Sequence, residues 1–155
     1  MERPDIDQYW MSMLALVASR GTCPRRQVGA ILVDCHGRLV STGYNGTAAG
    51  MAHCVDAPCP GSPALGGQRD DCEALHAESN AVAQALGSGR APYTLYCGLT
   101  PCFPCAKLLQ AVGVRQVVAA AAYAHDDRGP ALLVKGGAHV WVWNGRAKTP
   151  WKSGG

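Results

Sequence analysis

The sequence predicts an α/β fold, three layers deep (α-β-α), with a central mixed five-stranded sheet. Three observations point there. Apolar residues recur at helical spacing near the start, two short apolar runs then bracket a turn, and the rest of the chain alternates β-α-β-α-β. A hairpin pairs antiparallel, whereas strands joined through helices pair parallel and carry those helices on the sheet faces.

Each element has its own signal. Residues 5–19 put Ile6, Tyr9, Trp10, Met13, Leu14 and Val17 on one helical face, and Gly21 stops the helix. Val28 to Val33 is a short apolar run, Asp34-Cys35-His36-Gly37 reads as a turn, and Leu39 to Tyr44 completes a hairpin. Residues 45–71 are rich in Gly, Pro and Ala and read as a loop. Such a long loop is uncommon in a compact domain, and a bound metal would explain its order. A second helix is expected over 73–87, with Leu75, Ala77, Ala81, Val82, Ala85 and Leu86 on its apolar side. Tyr93 to Gly98 is a strand, 103–112 a third helix stopped by Gly113, and Val114 to Ala122 a buried strand. Residues 128–135 form a short helix and His139 to Trp143 the last strand. The tail from Asn144, ending in Ser153-Gly154-Gly155, is expected to fray. With 155 residues, no internal repeat and no compositional boundary, one domain over 1–155 is the expectation.

Composition narrows the class of protein. Apolar residues make up 48% and charged residues 16%, which suits a globular chain and excludes disorder. The start, Met1-Glu2-Arg3-Pro4-Asp5, lacks the basic and apolar segments of a signal peptide. The apolar-rich run from Met11 to Ala18 falls far short of the ~20 residues that span a bilayer. A cytoplasmic protein with no membrane partner is therefore expected. The net charge of +3 is small, and no basic stripe is interleaved with aromatics, so a small anionic ligand fits better than nucleic acid. Eight cysteines in a chain of this kind read as metal binding in preference to a disulfide framework.

Two short motifs carry the chemistry. His76-Ala77-Glu78 opens one predicted helix, and Pro101-Cys102-Phe103-Pro104-Cys105 opens another. Zinc accepts imidazole and thiolate, and three protein ligands leave a fourth position open for water. Cys102 and Cys105 share one face of a helix N-terminus, where the dipole and exposed N–H groups favour thiolate. Prolines suit that position because a missing N–H there costs little. His76 and Glu78, two apart, point apart on a helix barrel and converge only on a site beyond the helix end. Glu78 would then lie beside the water without ligating the metal. A lone Cys-x-x-Cys could be a redox pair or half of a structural zinc knot. The carboxylate argues against the knot, which has no use for it.

The combination His-x-Glu with Pro-Cys-x-x-Cys is the recognised signature of zinc deaminases. On these motifs the sequence resembles the cytidine and deoxycytidylate deaminase superfamily, and within it the deoxycytidylate (dCMP) branch. The resemblance covers about residues 8–143. It includes Gln27-Val28-Gly29-Ala30, Ser41-Thr42-Gly43-Tyr44-Asn45-Gly46, His76 to Ala81, and Leu95-Tyr96 leading to Pro101-Cys102 and Cys105-Ala106-Lys107. It implies a cytidine-deaminase-like fold and hydrolytic deamination of dCMP to dUMP, with zinc on His76, Cys102 and Cys105 and proton transfer by Glu78. It further implies substrate contacts at Asn45, Gly46 and Ala77. Tyr123 is a candidate to stack on the base, and Arg26 to bind phosphate, since guanidinium matches phosphate oxygens bidentately.

Phage and bacterial relatives of this type carry an added structural zinc. Here Cys23, Cys54, Cys59 and Cys72 would hold it, with His53 as the alternate ligand. The resemblance also implies a homo-oligomer, hexameric in the family, with dCTP and dTTP as effectors. Thr47-Ala48-Ala49-Gly50 and Cys97-Gly98-Leu99-Thr100 depart from the usual pattern. They leave the metal chemistry intact and bear on substrate preference. A modified cytosine nucleotide, a nucleoside, a tRNA base or a zinc-stabilised binding module are the alternatives.

Overall fold

A computed structural model describes residues 2–154. Its sheet has six strands in the order β2-β1-β3-β4-β5-β6, one more than expected. Helix α1 (Ile6–Ala18) leads into the hairpin β1 (Gly29–Val33) and β2 (Leu39–Tyr44). Helix α2 (Ala77–Ala85) precedes β3 (Thr94–Leu99), and α3 (Phe103–Ala111) connects β3 to β4 (Gln116–Ala121). Helix α4 (Arg128–Lys135) leads to β5 (His139–Trp143), followed by β6 (Lys148–Pro150). The pairs β3/β4 and β4/β5 are parallel, and β1 pairs antiparallel with both β2 and β3, so the sheet is mixed.

Local chemistry accounts for these elements. Asp5 caps α1 by accepting the Gln8 N–H at 2.8 Å. At the hairpin tip Asp34 accepts the N–H groups of His36 and Arg38 at 2.9 Å each, fixing the turn. All five residues of β1 are buried because helices cover both of its faces. One face turns Ala30, Leu32, Leu95, Cys97, Val117, Ala119 and Val140 towards α2, α3 and α4, where Ala81, Leu109 and Leu133 meet them. The other turns Ile31, Val33, Tyr96, Val118 and Trp143 towards Trp10 and Leu14 of α1. Each fully buried Leu or Ile contributes roughly 1.5–3 kcal/mol.

Three expectations need correction. The second helix begins at Ala77 instead of 73, because Leu75 exchanges backbone hydrogen bonds with Gly46 (2.9 and 3.2 Å) and is extended. The loop 45–71 contains two short 3₁₀ turns, Pro63–Leu65 and Arg69–Asp71. The tail does not fray as a whole: β6 pairs antiparallel with β5, matching Trp143 with Lys148. Asn144 shapes the turn by accepting the N–H groups of Arg146 and Ala147, and Lys148 Nζ reaches Asp7 Oδ2 at 2.7 Å. Pairing satisfies an edge that β5 would otherwise expose. Gly155, the end of that expected tail, lies outside the described residues.

Strand β2 and helix α2 meet at a glycine. A Cβ on Gly43 would overlap the Ala77 carbonyl and the Ala81 N–H, so the helix that starts beside His76 can approach only a bare backbone. Gly43→Ala should therefore push α2 outward, destabilising the fold by about 1–3 kcal/mol. Thermal denaturation should show a drop of several degrees, and an unchanged midpoint would refute this packing argument.

Candidate metal and nucleotide site

Two helix starts face each other across the end of the sheet. His76 is the N-cap residue of α2 and Cys102 that of α3, both with extended backbone, and Cys105 lies in the first turn of α3. Pro104 occupies the first turn, where its missing N–H is harmless. The His76 Nδ1 atom lies 3.3 Å from Cys102 Sγ and 3.5 Å from Cys105 Sγ. Tetrahedral zinc with its usual N and S bond lengths would hold such atoms about 3.6 Å apart, so the residues fit zinc without rearrangement. Among the described residues this is the one set of three or more His, Cys, Asp or Glu ligand atoms all within 4.8 Å of one another.

Electrostatics agree with that assignment. The Cys102 thiol is brought down to about 4, first by its hydrogen bond with Cys105 and also by His76. The partner thiol of Cys105 is pushed up, first by the same hydrogen bond and then by burial. The pair thus shares one proton more readily lost from Cys102, and both thiols deprotonate when a cation binds. The hydroxyl of Ser79 lies 3.6 Å from the Cys105 sulfur and supports it.

Glu78 is 6% exposed, on the first turn of α2. Burial pushes its carboxyl up, while its own backbone N–H and the charge of His76 pull it down. A carboxyl raised in this way is suited to taking and returning a proton. Glu78 lines the same cavity as His76 and Cys102.

His76, Cys102 and Glu78 open onto a cavity of about 320 Å³, with Cys105 buried behind them. Arg25, Arg26, Arg69 and His125 share its lining with Asn45, Ala77, Thr100 and Tyr123, and Glu78 is the one acidic residue there. Arg25 is committed to the fold, since its guanidinium donates to the Gly61 carbonyl at 2.7 and 3.2 Å and to the Gly67 carbonyl at 2.6 Å. Arg69 Nη1 donates one long bond to the Tyr123 hydroxyl at 3.5 Å. Asn45 lines the cavity with its amide engaged: Oδ1 accepts from Val28 N and Nδ2 donates to the Arg26 carbonyl, both at 2.7 Å. Gly46 stands outside the lining, paired with Leu75.

The candidate second-metal residues are also placed. All eight cysteines are free thiols. Cys59 interacts with Cys54 and Cys72, and Cys72 feels Cys23, but no three of these four sulfurs all lie within 4.8 Å of one another. The Glu73 backbone N–H holds the Cys59 thiol below its usual range, while burial raises Cys54 and Cys72. His53 is exposed and contributes to none of these shifts.

Known proteins bear on the same features. The family described as the cytidine and deoxycytidylate deaminase zinc-binding region matches residues 4–121. The chain belongs to that family. A deoxycytidylate deaminase of Schizosaccharomyces pombe is 36% identical over 143 residues, covering 89% of this chain and 44% of the yeast protein. The chain thus spans under half the length of that relative. A deoxycytidylate deaminase of Mycobacterium phage D29 is 38% identical over 124 residues, covering 76% of this chain and 96% of the phage protein. Among solved structures, the dCMP deaminase of cyanophage S-TIM5 in complex with dCMP and dUMP superposes with a TM-score of 0.72. It is 28% identical, with 90% of this chain and 98% of that chain covered.

Within this deaminase family member, sequence reasoning missed Arg25, Arg69, Thr100 and His125. No spacing pattern marks them, since they reach the cavity from separate loops. Gly129 is another such residue: in the first turn of α4, its Cβ would overlap the Pro101 carbonyl and crowd Cys102. Gly129→Ala should displace Cys102 and weaken zinc retention about tenfold, a 1.4 kcal/mol effect. Zinc content after dialysis against a chelator checks this, and wild-type retention would refute it.

Proposed function

We propose that this chain hydrolyses dCMP to dUMP and ammonia, supplying dUMP for thymidylate synthesis. The observation that carries the reading is a buried carboxyl beside a three-ligand metal site, on a cavity whose other charged side chains are the arginines Arg25, Arg26 and Arg69. Zinc, when bound, makes water a competent nucleophile at neutral pH. Glu78 would take a proton from the attacking water, deliver it to the ring nitrogen of cytosine, and pass the second to the departing amine. Water adds at the carbon that loses ammonia, so the atoms balance as dCMP plus water giving dUMP plus ammonia.

The cavity chemistry favours a nucleotide over a free base or nucleoside. With Arg25 occupied by carbonyls, Arg26 and Arg69 are the guanidiniums left to receive a phosphate. Asn45, Ala77 and Tyr123 surround the remaining space and are assigned to base and sugar. Gly46 acts at one remove, by fixing Asn45 against Leu75. The S-TIM5 enzyme, crystallised with dCMP and dUMP, supports the same substrate. A second zinc on Cys23, Cys54, Cys59 and Cys72 belongs to this reading, supported by the nearness of Cys54 and Cys72 to Cys59 and of Cys23 to Cys72. Cys23 and Cys72 also line the cavity, so such a metal would brace one wall of it. Among the described residues no helix is long and apolar enough to cross a membrane.

One set of measurements tests both parts. Zinc per chain and ammonia release from dCMP are measured on the wild type, Glu78→Gln and Cys59→Ser. We expect two zinc ions in the wild type and in Glu78→Gln, with turnover in the latter down by ~10²-fold or more. Cys59→Ser should retain one zinc. A single zinc in the wild type removes the second site. Undiminished turnover in Glu78→Gln removes the mechanism, and ammonia from cytidine or tRNA but not dCMP removes the substrate assignment.

A further inference from the structure

Thr100 stands between two walls of the cavity. It follows β3 and immediately precedes Pro101-Cys102, so it lies on the loop that delivers a metal ligand. The residue is 2% exposed, and its hydroxyl accepts the Tyr123 backbone N–H at 2.8 Å. Its own N–H donates to the Ala121 carbonyl at 3.0 Å. Tyr123 lies on the different loop that leaves β4, and its ring meets His125 edge-on with centroids 5.6 Å apart. Its hydroxyl receives the bond from Arg69. One wall therefore carries the candidate metal ligand Cys102, and the other carries the aromatic ring, the histidine and the arginine contact.

The join between those walls is narrow. Strand pairing of β3 with β4 ends at Leu99 and Ala121. Beyond it, the Thr100 hydroxyl is the partner of the Tyr123 N–H. A buried hydroxyl without such a bond would be disfavoured, and a buried N–H without its acceptor equally so. Valine would fill nearly the same space yet leave that N–H unpaired, so the chain at Tyr123 would shift to find water or another acceptor. Serine would keep the acceptor.

We propose that Thr100 is a positioning residue whose hydroxyl sets Tyr123 at a fixed distance from the metal ligands, and so governs how the nucleotide seats. It acts through Tyr123 and not through the metal. The inference rests on the reading of this cavity as a nucleotide site.

A double-mutant cycle tests it, with zinc-loaded T100V, T100A, T100S, Y123A and T100V/Y123A assayed on dCMP. T100V and T100A should raise KM ~10-fold, leave kcat within about threefold and leave zinc content unchanged. T100S should restore the wild-type KM. In the Y123A background T100V should add nothing, because residues acting through one another are not additive. A T100V effect that persists in full beside Y123A overturns the proposal. So does a loss of kcat or zinc with KM unchanged. Crystal structures of T100V and T100A read the same claim without turnover: a displaced Tyr123 supports it, and an unmoved ring overturns it. Failure of the wild type to turn over dCMP would sink the nucleotide reading, while the crystallographic result would still decide whether Thr100 places Tyr123.

Discussion

Everything in this molecule that bears on chemistry depends on two helix N-termini meeting across one end of the sheet. His76 caps α2 and Cys102 caps α3, so neither side chain is bound to the direction of a helix barrel. Both helices turn positive dipole ends and unpaired N–H groups towards the same point. Meeting there also brings Cys105 and His76 against Cys102, and their hydrogen bonds lower its thiol before any metal arrives. The approach of α2 to β2 needs the bare backbone of Gly43, and the brace behind Cys102 needs that of Gly129. Packing and metal affinity are thus set by the same close contacts.

The cavity divides its charges by position. Glu78 is buried against the ligands, where a carboxyl can move protons, while Arg26, Arg69 and His125 line the same cavity from other loops. The guanidiniums of Arg26 and Arg69 are the positive charges of that lining not committed to backbone carbonyls. Arg25 resembles them in sequence and differs in role, because the carbonyls of Gly61 and Gly67 occupy its guanidinium. It holds the loop that carries Arg69, so a substitution there would act on the shape of the cavity.

Much of this was legible in the sequence, for identifiable reasons. The strands and helices declared themselves through period, and His76, Glu78, Cys102 and Cys105 through short-range spacing at helix starts. The start of α2 was misread because apolar Leu75 fits a helical face, yet its N–H and carbonyl go to Gly46, far back along the chain at the start of the long loop. Strand β6 was hidden because three residues of Lys-Thr-Pro carry no alternation, and only the open edge of β5 makes them a strand. Arg69, Thr100 and His125 reach the cavity from three separate loops. No local pattern encodes such convergence, since it is a property of the assembled sheet.

The central claim is that three protein atoms hold the catalytic metal and that Glu78 stands beside it as a proton carrier. Anomalous diffraction at the zinc edge, on crystals of the zinc-loaded protein, tests it most directly. The account expects a peak bonded by His76 Nδ1, Cys102 Sγ and Cys105 Sγ, with the Glu78 carboxyl outside bonding distance. A peak that Glu78 ligates as a fourth protein donor, or no peak between these residues, would contradict it.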